Sequence, residues 1–174
     1  MREVLVFDDG VSFDDVRAWA AARGWALELE LPPGELHHRA LQWGVQARAV
    51  RYIEDARFGT RYIVGDDDLL VALRGAFSSV SADHVAGVLL GGGSSDEKIA
   101  ALFRLTPFLF FGEVDPRWCE LLDEWARGGE RLEQLAVTLV LERTAREELA
   151  AARRSAIEHL PAELAQRVLL PEEG

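Results

Sequence analysis

Acidic residues gather at three places where an apolar run turns or a helix begins: Asp8-Asp9, Asp14-Asp15 and Asp66-Asp67-Asp68. If those turns converge, their oxygens suit Mg²⁺ or Ca²⁺, and Asp8 at the end of an apolar run becomes the candidate acid of a divalent-metal-dependent hydrolase. Their spacing matches no EF-hand loop, and acids at a helix start are equally explained by capping and the helix dipole. His37-His38 beside Glu35 is the one histidine cluster; adjacent helical side chains diverge by about 100°, so it is not the i, i+4 pair of a helical zinc site. Cys119 follows Asp115-Pro116 in a first helical turn, where the positive helix end can lower a thiol pKa, but no histidine is near it in sequence. The chain has no Gly-x-Ser-x-Gly elbow, and Gly91-Gly92-Gly93-Ser94-Ser95 lacks the lysine of a phosphate loop. These groups have ordinary structural explanations, so no catalytic, cofactor-binding or metal-ligating residue is assigned and no cofactor is expected.

Composition narrows the partners. Among 174 residues, 30 acidic against 19 basic give a net charge of −11, and Lys98 is the only lysine. Such a chain repels nucleic acid and anionic membranes, whereas a basic protein is a natural partner. Cys119 is the only cysteine, which excludes an internal disulfide or a cysteine-rich zinc site. No apolar run is long enough to span a bilayer, and no basic segment followed by an apolar one opens the chain; a cytoplasmic protein is expected.

The elements that must position these groups change character along the chain. Val4-Leu5-Val6-Phe7 predicts a buried strand ending at Asp8-Asp9-Gly10, and Ser12 caps a helix carrying Phe13, Val16, Trp19 and Ala20, stopped by Gly24. Ala26-Leu27-Glu28-Leu29-Glu30-Leu31 alternates strictly, predicting a strand with one wet face. Residues 35–46 suit a short helix bearing Leu36, Ala40 and Trp43, and 49–54 with 60–64 suit a hairpin. The expected fold class is therefore α+β: a small α/β sheet subdomain over residues 1–65, an all-α body over 66–170 and a tail at 171–174.

In that body, 66–79 and 81–90 are expected as a first helical pair. Ser94 with Glu97 forms a capping box for a helix with Ile99, Leu102, Phe103 and Phe110 on one side, kinked or ended early by Pro107. Asp115-Pro116 starts a helix with Trp118, Leu121, Leu122 and Trp125 as its core stripe, and the next carries Leu132, Leu135, Ala136, Leu139 and Val140. Helical hairpins thus recur at about 30 to 34 residues. Lys98-Ile99-Ala100-Ala101-Leu102-Phe103 lies over Arg131-Leu132-Glu133-Gln134-Leu135-Ala136, each a basic residue followed by apolar ones at +1, +4 and +5. Residues 66–160 resemble HEAT-like helical repeats. That resemblance implies a protein-binding scaffold or adaptor without catalytic machinery, using exposed aromatic and arginine side chains; Trp19, Trp25 and Trp43 are the first candidates. A plain helical bundle fits the same pattern. Val4 to Gly10 also resembles the strand-plus-aspartate start of haloacid-dehalogenase-like phosphatases, although there the second acid stands two residues after the first. Three expectations stand side by side: a non-enzymatic adaptor, an acidic inhibitor or immunity-type protein that neutralises a basic enzyme, and the Asp8 hydrolase.

Overall fold

The structure, a computed structural model, describes residues 2–35, 37–144 and 146–169; the expected tail lies outside them. The protein is α+β, with a six-stranded antiparallel sheet followed by helices, in two compact units, Met1–His84 and Val85–Gly174.

In the first unit, β1 (Arg2–Phe7) leads through α1 (Phe13–Ala22) to β2 (Ala26–Leu31), β3 (His37–Val45), β4 (Arg48–Asp55), β5 (Arg61–Asp66), α2 (Asp67–Arg74) and the short β6 (Ser79–Val80). The strand order is β2-β3-β4-β5-β1-β6, so β2 forms one edge. Residues 37–45 are a strand and not the expected helix. Leu41 and Trp43 are buried and Val45 packs against the same core, a period-two pattern that the spacing of Ala40 and Trp43 disguises. Residues 67–74 also depart from expectation: α2 packs on β1 and β5, and Leu70 and Leu73 join the core formed by α1 and the sheet. A Cβ at Gly65 would meet the Val50 side chain of β4 at 3.3 Å, with Leu70 at an ordinary contact distance of 3.5 Å. Between α2 and the next helix, Ser79 and Val80 pair with Phe7 and Val6 and are not helical.

An aromatic cluster runs through that core. Phe7, Tyr52, Trp43, Trp25, Trp19 and Phe77 form a closed ring of contacts with centroids 5.3 to 6.3 Å apart, and Phe13 joins through Tyr52. Arg39 and Arg23 stack over the rings of Phe13 and Trp19 at 3.7 and 3.8 Å. The tryptophans proposed from sequence as contact residues are thus packing residues: Trp43 is buried, and Trp19 and Trp25 are half-buried against the same cluster.

The helix α3 (Ala82–Leu89) spans the division between the units. The second unit continues with α4 (Ser95–Phe111), α5 (Pro116–Gly128), α6 (Arg131–Glu142), a 3₁₀ turn at Glu147–Leu149, α7 (Ala150–His159) and α8 (Ala162–Leu169). Here α4 packs on α6, α5 on α6 and α7, and α8 on α6 and α7. Leu102, Leu105, Leu109, Trp118, Leu122, Trp125, Val137 and Leu141 are buried. The capping box of Ser94 and Glu97 and the Asp115-Pro116 start form as the sequence predicts. Pro107 does not end α4. It cannot donate to the Phe103 carbonyl, but the Thr106 hydroxyl donates to that oxygen at 2.7 Å, so the helix runs on to Phe111.

Candidate protein-interaction surfaces

The acids do not converge. Asp8 ties β1 to the segment before β6: its carboxylate accepts from the Asp9 N–H and the Ser78 hydroxyl, and its own N–H donates to the Ser78 carbonyl. Asp15 serves the α1 cap, where its N–H donates to Ser12 Oγ. The third group is held by arginines. Arg48 reaches Asp68 at 2.7 Å and Asp66 at 3.5 Å, and Arg74 bridges Asp67 at 2.7 Å and Glu3 at 2.8 Å. The histidine pair lies on β3, with a ring nitrogen of His37 against the Pro32 carbonyl at 3.0 Å and His38 exposed. Among the described residues no group of three or more His, Cys, Asp or Glu side chains is placed to hold a metal. The Cys119 thiol is pushed up in pKa by burial and by Glu148 and Asp115, the opposite of what the helix end suggested from sequence. Gly91, Gly92 and Gly93 form the turn before the Ser94 cap.

The ion pairs and caps carry a pH dependence of definite sign. Arg48 holds Asp68 below the ordinary carboxylate range, Arg74 does so for Asp67, Arg117 for Asp115 and Arg146 for Glu148; the Ser94 N–H lowers Glu97. A group whose pKa is lowered by folding contributes stability above its unfolded pKa and loses it as pH falls through the folded value. Urea midpoints measured down a pH series should therefore be level near neutrality and decline below about pH 4. Because most of these groups are exposed, high salt should flatten the part due to ion pairs. A midpoint that rises on acidification would contradict this.

Two surfaces remain open. The first is an apolar groove of about 400 Å³ in the second unit, lined by Asp96, Ile99, Ala100 and Phe103 of α4 and Leu132, Leu135, Ala136 and Leu139 of α6. Each helix contributes residues at i, i+3, i+4 and i+7, one continuous stripe apiece. Ile99, Phe103, Leu132, Leu135 and Leu139, expected from sequence as core, line this groove, and Leu132 is 55% exposed. The actual core stripe lies one face away, at Leu102, Leu105 and Leu109 on α4 and Val137, Val140 and Leu141 on α6.

The second surface is β2. All six of its residues are exposed, and a bulge between Leu27 and Leu29 breaks the expected alternation. Leu27 pairs with Trp43 and faces the side covered by α1, whereas Leu29 and Leu31 pair with Gln42 and Ala40 on the opposite side. Glu30 pairs with Leu41, and the Glu28 carboxylate lies over Gly44, where it accepts from the Gln42 amide at 3.1 Å.

No protein-family model, no curated protein and no solved structure matches the chain. Among the described residues no helix is long and apolar enough to cross a membrane.

Proposed function

We propose that the protein is a non-enzymatic protein-binding or adaptor module, and that the groove between α4 and α6 is its principal contact surface. The observation that carries this reading is the pair of parallel apolar stripes, which matches the periodicity of one further amphipathic helix. Packing of α4 beside α6 and of α5 beside α7 is what stacked, HEAT-like hairpins require, and the groove is where a next helix would sit. Asp96 at its end and the net charge of −11 favour an occupant flanked by Lys or Arg over nucleic acid. A single, half-buried free cysteine suits the cytoplasm. The charge also supports a second reading, an acidic inhibitor of a basic enzyme, whose binding would weaken steeply with salt.

The test uses an amphipathic leucine- and lysine-rich helical peptide as probe. Saturable binding is expected by calorimetric titration, weakened at least about tenfold by Leu132→Asp through loss of one apolar contact and gain of a buried carboxylate. Since Leu132 is largely exposed, the melting temperature of the variant should stay within about 2 °C of the parent. Peptide binding unchanged in that variant would remove the groove from the account.

A further inference from the structure

We infer that the free edge of β2 accepts an added strand from an extended partner segment in which apolar residues alternate with Lys or Arg. This deepens the protein-binding reading by naming a partner chemistry, and it rests on a different unit from the groove. β2 is paired on one side only, with β3, and among the described residues no other backbone bond reaches residues 26–31. A strand at a sheet edge presents alternate N–H and C=O groups that a second chain can pair. The opposite edge offers much less, since β6 is only two residues long. Along β2 the leucines are 41 to 47% exposed, an unusual apolar content for an edge open to water.

The charges choose the occupant. Among the described residues Glu28 is bonded to the neutral Gln42 amide and neither Glu28 nor Glu30 forms an ion pair. A second copy of the chain is disfavoured. The antiparallel register that sets Leu29 and Leu31 against the leucines of another β2 also sets Glu30 against Glu30, and directly opposed like charges destabilise a strand pair. Beyond the bulge, where alternation holds, a segment alternating apolar and basic residues sets apolar side chains beside Leu29 and Leu31 on one face and a cation beside Glu30 on the other. The acidic character of the whole chain would speed its approach.

A short peptide alternating lysine and valine tests this, with glutamate replacing lysine in the control peptide. The basic peptide should bind saturably by fluorescence anisotropy and the acidic one should not. The affinity should fall about tenfold in the Glu28→Lys/Glu30→Lys double variant and also with added salt. Amide exchange of the intact protein should slow at alternate β2 residues when the peptide is present, a readout that needs no variant. Binding without protection of β2, or undiminished by charge reversal, overturns the edge assignment while leaving the protein-binding reading in place. Self-association that is lost on Leu29→Lys, with no peptide bound, makes a second copy the occupant and overturns the basic partner. Absence of both overturns the inference, and the groove titration then decides the wider reading by itself.

Discussion

Replacing Arg153 with methionine is expected to lower the melting temperature by roughly 6–12 °C, although the residue belongs to neither open surface. From α7 its guanidinium donates to the carbonyls of Leu141 at 2.7 Å and Val168 at 2.9 Å, and to that of Thr144. The Leu141 and Val168 oxygens lie in the last turns of α6 and α8, where helical carbonyls have no partner within their own helix, and Thr144 follows just after α6. One planar fork thus closes two helix ends at once. Burial lowers the pKa of the guanidinium, yet an arginine stays charged at any working pH. Hydrogen bonds to a charged donor contribute about 1.5–3 kcal/mol each, and three that share one partly exposed donor are expected to sum to about 3 kcal/mol. Lysine should recover only a minor part, because a single ammonium cannot span three carbonyls in a fixed fork. Thermal melts of both variants check this. A lysine variant as stable as the parent would show that charge alone, and not the bridging geometry, joins the helix ends.

The elements with strong local punctuation were legible in the sequence: β1 ended by Asp8-Asp9-Gly10, α1 from its Ser12 cap, the capping box at Ser94 and the Asp115-Pro116 start all form. Elements defined by distant partners were not. Residues 67–74 have a helical pattern whether they pack on another helix or on a sheet, and only the fold brings Leu70 and Leu73 onto β1 and β5. In β3, the polar run His37-His38-Arg39 hides the alternation of Leu41, Trp43 and Val45. The bulge in β2 comes from its register with β3 and leaves no mark on a perfectly alternating string. The groove was hidden for another reason. Helix α6 is apolar around much of its circumference, so Leu132, Leu135 and Leu139 form as good a stripe as Val137, Val140 and Leu141, and periodicity cannot tell which faces a neighbour. The one available signal was the match of residues 98–103 to 131–136, which places equivalent faces side by side on α4 and α6.

The larger stability loss is expected in the first unit, where Trp43→Ala should cost about 4 kcal/mol and roughly 8–16 °C in melting temperature. Trp43 is 2% exposed and contacts Trp25 and Tyr52, so truncation opens a cavity inside the aromatic ring and not a dent at its rim. Collapse to fill it is hindered from both sides. Tyr52 is held by its hydroxyl donating to Glu54 at 2.9 Å, and Trp25 is pinned edge-on to Trp19, itself covered by Arg23. A rigid surround is the condition under which cavity cost approaches its upper range, since the lining atoms keep their places and lose their contacts. Trp19→Ala supplies the contrast: it lies in the same ring but is half-buried, water can enter the space left behind, and its cost should be about half as large. The near-ultraviolet dichroism of the aromatic cluster and chemical-denaturation midpoints of the two variants measure the difference. Equal costs would mean that the ring relaxes as a unit, in which case Trp43 is one contributor among equals and not the residue around which the sheet and α1 are packed.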